Sequence, residues 1–141
     1  MILREILRTK GSAVHTIEPS ATLAEVVHRL VEHNVGSLVV CENGVMVGII
    51  TERDILRACA TNGGTLNEKH VPDAMSTDIA TGSPEDSIAH TMGLMTDRRI
   101  RHLPILEDGK LSGMISIGDV VKAQHDHLEV ENNMLKDYIQ S

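Results

Sequence analysis

Aromatic side chains are nearly absent from this chain: 141 residues hold no Trp, no Phe and one Tyr, Tyr138. A platform that stacks single-stranded bases needs several such rings, so that class of binder is excluded. Basic charge is scarce too. Thirteen Lys and Arg face 20 Asp and Glu, a formal net charge of −7, whereas a general nucleic-acid binder wants a basic face that displaces counterions. No apolar run approaches the roughly 18 residues of a membrane-spanning helix. The opening stretch from Met1 to Lys10 has charges scattered through it, so no secretory signal is expected. Cys41 and Cys59 fit no metal-ligand or redox spacing and read as reduced, packed thiols. These absences point to a soluble, cytoplasmic protein with neither a membrane nor a polymeric nucleic acid as partner.

What is present is aliphatic. Hydrophobic residues make up 41% of the chain, enough for a packed interior and too many for a wholly disordered chain. The length allows one ordinary domain or two small units sharing a core. Self-similarity favours the second. An offset of 65 residues aligns 14–57 with 79–122 without a gap. Thr16/Thr81, Pro19/Pro84, Ala24/Ala89, Leu38/Leu103, Glu42/Glu107, Gly44/Gly109, Gly48/Gly113, Ile50/Ile115 and Asp54/Asp119 are identical. Most other core-type positions keep apolar character, as in Leu23/Ile88 and Val40/Ile105.

Each copy predicts the same elements. In the first, Val14–Ile17 is a short strand closed by Pro19. Thr22 caps a helix with Glu25 as capping-box partner, and Leu23, Val26, Val27, Leu30 and Val31 make one apolar stripe. Ser37–Cys41 and Val45–Thr51 flank the Asn43-Gly44 turn signal of a hairpin. A second helix runs from near Glu52 to about Ala60. The second copy predicts a strand at Ile79–Thr81, a helix at Ser87–Arg98 and a hairpin of His102–Leu106 with Lys110–Ile117. Its last helix starts near Gly118 and continues toward Ile139. Residues 61–70 read as a surface loop, and Val71–Met75 as one helical turn with Pro72 early in it. Forty-odd residues bury little core alone, so the two copies are expected to pack sheet against sheet about a pseudo-twofold axis.

The sharpest local signal also occurs twice. Gly48-Ile-Ile-Thr-Glu-Arg-Asp54 and Gly113-Met-Ile-Ser-Ile-Gly-Asp119 both run glycine, two apolar residues, a hydroxyl residue, two variable positions and Asp. Thr51 and Ser116 sit where a strand gives way to a helix. Hydroxyl and Asp at this spacing form a helix cap. The same geometry suits a nucleotide: a first-turn carboxylate accepts from the two vicinal hydroxyls of a ribose, and the helix start favours phosphate. Capping and binding are compatible.

This pattern, with the segment Arg99-Ile-Arg-His-Leu-Pro-Ile105, resembles a tandem pair of CBS domains, a Bateman module. The likeness spans about residues 1–125, and small stand-alone two-domain proteins of signal-transduction type are the nearest kind. The implied fold class is α/β (α+β), two β-α-β-β-α repeats. The implied domains are 8–60 and 75–125, with a linker at 61–74 and a helical tail at 126–141. The resemblance implies a non-catalytic regulatory module with two clefts for AMP, ADP, ATP, NAD or S-adenosylmethionine, sensing energy or redox state. It also implies a homodimer, with an unknown regulated protein as a further partner and no catalytic cofactor.

Carried over by position, Asp119 takes one ribose, Ser116 and Gly118 lie at its phosphates, and Arg101 and His102 reach in from the strand. Lys10, Ser12, Ala13 and His15, with Val35 and Gly36, complete the walls. In the other site Asp54 takes the ribose and Thr51 and Arg53 the phosphate, with Gly36 and Ser37 on the strand and Ser76, Thr77, Ile79 and Ala80, with Ile100, opposite. Lys10, Arg101 and His102 make the Asp119 site the better anion site. The alternative is an interaction dimer whose two sites are vestigial, its Asp residues serving only as caps. Other constellations are poorer. His28/His33 and His125/His127 have no i, i+4 spacing, so no metal site is expected, and no nucleophile-elbow motif supports a hydrolase.

Overall fold

The computed structural model describes residues 1–61 and 64–140. Asn62 and Gly63 of the expected loop, and Ser141 of the tail, lie outside the described residues. Two compact units make up the chain: Val14–Ala80, and Thr81–Ser141 together with Met1–Ala13.

In the unit Val14–Ala80, β1 (Thr16–Ile17) pairs in parallel with β2 (Ser37–Glu42), which pairs antiparallel with β3 (Val45–Thr51). α2 (Leu23–His33) lies between β1 and β2 in sequence, and α3 (Glu52–Ala60) follows β3. The Thr22 hydroxyl accepts from the Glu25 amide and caps α2. Of the expected stripe, Leu23, Val26 and Leu30 are buried with Ile17, Leu38, Val40 and Ile50, and Val27 packs against that core. Val31 departs from the stripe and is 75% exposed, because the core-facing arc of the helix is narrower than the apolar spacing suggests. Val71–Asp73 forms a single 3-10 turn with Pro72 near its start, and Val71 is fully buried.

In the other unit, α1 (Leu3–Lys10) packs with α4 (Ile88–Arg98), β4 (His102–Glu107), β5 (Lys110–Ser116) and α5 (Ile117–Gln140). Both hairpins close on two residues of positive φ, Asn43-Gly44 at 53° and 79° and Asp108-Gly109 at 53° and 77°. That conformation matches the twist of the flanking strands. Register breaks fall at Val40/Cys41 and at Ile105/Leu106, the same place in each repeat. The duplication therefore extends to an irregularity of the backbone.

The elements depart from expectation at one missing strand and one unexpected helix. The strand expected at Ile79–Thr81 is absent; a single parallel bridge joins Gly82 to Ile105. In the first repeat the Val39 amide donates to the His15 carbonyl. The equivalent residue in the second repeat is Pro104, which has no N–H to donate. The pairing shrinks to the Gly82 amide on the Pro104 carbonyl and the Leu106 amide on the Gly82 carbonyl. Gly82 also stands where Ile17 would project. A Cβ there would lie 3.0 Å from both Ile105 and Leu103, so neighbouring side chains fill that volume. The unexpected helix is α1, whose residues carry no helix expectation from the sequence. Leu3 and Ile6 are buried beneath it, a pattern too short to stand out among its charges.

Candidate functional site

At each repeat's second strand–helix junction, the hydroxyl residue and the Asp hold one another. In the first, Thr51 is the N-cap of α3, its Oγ1 accepting from the Asp54 amide at 3.3 Å. Asp54 Oδ2 accepts in return from the Thr51 amide at 2.9 Å and the Thr51 hydroxyl at 3.1 Å. In the second, Ser116 Oγ accepts from the Asp119 amide at 3.1 Å, and Asp119 Oδ2 from the Ser116 amide at 2.8 Å. The junctions are anchored alike: the Glu52 amide donates to the Gly36 carbonyl, and the Ile117 amide to the Arg101 carbonyl. Strand register sets Ser37 opposite Thr51 and His102 opposite Ser116.

The repeated glycines make room beside these junctions. A Cβ on Gly48 would stand 2.7 Å from Met75 Sδ and 3.1 Å from the Ser76 carbonyl oxygen. Ser76 pairs there with Ile49 through both backbone hydrogen bonds, at 3.0 and 2.9 Å. At Gly113 the neighbour is Leu7 of α1, 2.6 Å from the position a Cβ would take. The close approach puts Lys10, at the end of α1, against the second junction. Its Nζ donates to the Met114 carbonyl at 2.8 Å and to Asp119 Oδ2 at 2.6 Å.

Charge now separates the junctions. Burial alone would push the Asp119 carboxyl up, but hydrogen bonds from Lys10 and Ser116 outweigh it and hold its pKa below the ordinary value. Asp54 pairs instead with Arg57, one turn along the same helix at 3.8 Å, with a side chain 71% exposed. Gly118 leaves the start of α5 open, with only Ser116 Oγ within 4 Å of a would-be Cβ; Arg53 occupies the corresponding place in α3 and is exposed.

Lys10, Ser116 and Asp119 are thus brought into direct contact, with His102 and Arg101 on the adjoining strand end. Thr51 and Asp54 are in contact, with Gly36 and Ser37 adjoining. Asp54 and Ser76 also line a cavity of about 480 Å3 in their unit, with Arg57, Lys69 and Asp73. Sequence reasoning missed those three. Arg57 could have been found by its i, i+3 spacing from Asp54, whereas Lys69 carries no signal: it arrives from the segment after α3 and donates to the Ala58 carbonyl and the Thr61 hydroxyl.

Other expected residues have different surroundings. The His15 ring stacks on His33, with centroids 4.0 Å apart. Val35 packs against the core of its unit, and the Val35 and Ile100 amides close the ends of α2 and α4 on the Leu30 and Met95 carbonyls. Ser12 and Ala13 are exposed just beyond α1, Thr77 is exposed, and Ile79 and Ala80 are half-buried in a segment of no regular structure. Cys41 is half-buried, which pushes its thiol pKa up. Cys59 is exposed, correcting the packed-thiol reading for that residue, since it falls on the outer face of α3. His125, Asp126 and Glu129 bring one ligand-type atom each within 4.8 Å of one another on α5, all exposed.

Two α/β repeats, each ending on a capped Asp junction, define the class: this chain belongs to the CBS-domain family, whose profile matches residues 3–61 and 70–126. Among its relatives is a mitochondrial CBS domain-containing protein of Arabidopsis thaliana, 43% identical over 98% of this chain and 71% of that protein. A CBS domain-containing protein of Bacillus subtilis is 36% identical over 82% of each. The crystal structure of a CBS-domain protein from Agrobacterium tumefaciens superposes with a TM-score of 0.85 at 37% identity, covering 88% of this chain and 99% of that one. A CBS domain pair solved with 5′-methylthioadenosine and S-adenosyl-L-methionine shares the fold, with a TM-score of 0.79 at 22% identity over 90% of this chain and 98% of that one. No helix among the described residues is long and apolar enough to cross a membrane.

Proposed function

We propose that this chain is a non-catalytic regulatory module that binds an adenosine nucleotide and signals energy or redox state to a partner protein. The observation that carries the reading is the Lys10–Asp119–Ser116 cluster. It sets a carboxylate, a cation and an open helix start at one strand end. Both contacts named for Asp119 fall on Oδ2, so Oδ1 is the atom we assign to the ribose hydroxyls. The amides at the start of α5, Ser116 Oγ, Lys10 and Arg101 face the phosphates. Asp54, with Thr51, Arg53 and Ser76, forms a second, weaker site. AMP, ATP and NAD are the leading ligands; the fold shared with a pair solved with 5′-methylthioadenosine and S-adenosyl-L-methionine adds those two compounds to the test.

Binding in the micromolar range, about −8 kcal/mol, stabilises the folded chain by roughly 2.7 kcal/mol at about 100 times the dissociation constant. A thermal-shift and calorimetric screen of the five compounds reads this directly, and a flat response in both overturns the proposal. Asp119→Ala separates binding from capping: loss of the cap costs about 1 kcal/mol, and loss of a ribose ligand also removes the shift. The reciprocal caps at both junctions favour the second reading, an interaction dimer with vestigial sites. Under that reading the variant is less stable and no compound shifts either protein.

We further place the chain in a reducing, cytoplasmic compartment, which suits two free cysteines, and read it as a homodimer. Val31 and Leu56, 75% and 70% exposed, support association. Light scattering that returns the monomer mass at all concentrations overturns the dimer.

A further inference from the structure

The second half of α5 has no role in the proposed nucleotide sites. The helix runs 24 residues, and from His125 to Gln140 every residue is exposed. Four of the exposed apolar residues of α5 fall on one seam. Val121, Leu128 and Leu135 recur every seven positions, 52%, 53% and 60% exposed, and Ile139 follows Leu135 by four at 79%. A repeat of seven is the spacing by which one helix keeps a seam against another over several turns.

Reading those three as heptad position d places His125, Asn132 and Ile139 at position a. Leucine at d with one Asn at a favours two parallel strands and sets their register. The flanking charges agree. Glu131 falls at position g and Lys136 at the following e, so in a parallel pair each Glu131 faces Lys136 of the other copy, twice by symmetry. Glu131 also pairs with His127 of its own helix at 3.2 Å, which leaves its second oxygen for the other chain. Val130 and Met134 fall outside the seam. We propose that the exposed half of α5 pairs with α5 of a second copy as a short parallel two-stranded coiled coil. This rests on the homodimer reading above and specifies which surface makes the dimer.

A seam of under three heptads is marginal for free peptides, because the first turn is costly to nucleate. Here that turn is already formed: Val120 is fully buried and Asp119 is hydrogen-bonded at the start of the helix. The coil therefore propagates from an anchored end.

Sedimentation equilibrium on the full chain tests the surface. Leu128→Asp with Leu135→Asp is expected to raise the dimer dissociation constant about 100-fold or more, while the melting transition of the isolated protomer is kept because both positions are exposed. Glu131→Lys is expected to weaken the dimer, and adding Lys136→Glu to restore it. Orientation is read by mild oxidation of His125→Cys in a Cys41→Ser, Cys59→Ser background: covalent dimer is expected there and not with Val130→Cys on the outer face. A wild-type monomer sinks the homodimer reading and this one together. A dimer unaffected by the double Asp variant keeps the first and overturns the second. Cross-linking at Val130→Cys but not His125→Cys overturns the parallel seam.

Discussion

The two capped junctions share their local chemistry and differ in their electrostatics. Both close a hydroxyl on an Asp amide and an Asp on a hydroxyl residue's amide, at 2.8 to 3.3 Å. Among the described residues, the second Asp alone accepts a hydrogen bond from a lysine, which comes from a helix more than a hundred positions earlier in the chain. The cap is written within four residues and is therefore copied with the repeat. The cation is delivered by packing, so one duplicated motif yields two junctions of unequal charge. The motif by itself does not distinguish the two junctions; the lead-in packed beside one of them does.

The glycines at these junctions offer the largest contrast. Gly48→Val meets the Ser76 backbone oxygen as well as Met75, whereas Gly113→Val meets only the flexible Leu7 side chain. Overpacking costs about 1–3 kcal/mol. Urea unfolding should place Gly48→Val at the upper end of that range and Gly113→Val at the lower. Equal costs would mean that α1 is held as rigidly as the Ser76 segment.

Next come the caps. Thr51→Ala and Ser116→Ala should each cost about 1 kcal/mol, and a difference well beyond that would break the local equivalence of the two junctions. Lys10→Met is smaller, within about 1 kcal/mol, since the Lys10 and Asp119 side chains are 37% and 25% exposed and solvent screens the pair. Its effect on ligand should be the larger one: weaker ATP binding by calorimetry in Lys10→Met, and little change in Arg57→Met.

The smallest effect is in pH. Because the folded state holds the Asp119 pKa below its ordinary value, its contribution is present above the unfolded pKa near 3.9 and is lost as pH falls through the lower, folded value. Between about pH 5 and 2, stability of the wild type should therefore fall more steeply than that of Asp119→Asn. Parallel curves would remove the ion pair from the comparison.

Much of the fold was legible from the residues alone. β3 ends and α3 begins at Thr51/Glu52 as the hydroxyl-and-Asp spacing implies, and both hairpins turn where Asn43-Gly44 and Asp108-Gly109 stand. These features depend on interactions within about four residues, which spacing reports directly. A single proline shows where this stops. Pro104 was visible at the place of Val39, yet its consequence, the loss of a strand at Ile79–Thr81, follows only once that position is known to donate across to the neighbouring strand.

The sequence by itself determined the duplication, the helix caps, the turns and the two Asp positions, because each is a local or periodic property of the chain. Only the tertiary structure decided that α1 packs in one unit with the second repeat, that the Lys10 already expected beside Asp119 donates to its carboxylate directly, and that Lys69 joins Asp54 around one cavity. Those contacts join residues far apart in sequence. They come from burying Leu3, Ile6 and Val71 and from the room left at Gly48 and Gly113, and packing of that kind leaves no periodic trace in the charged side chains it brings together.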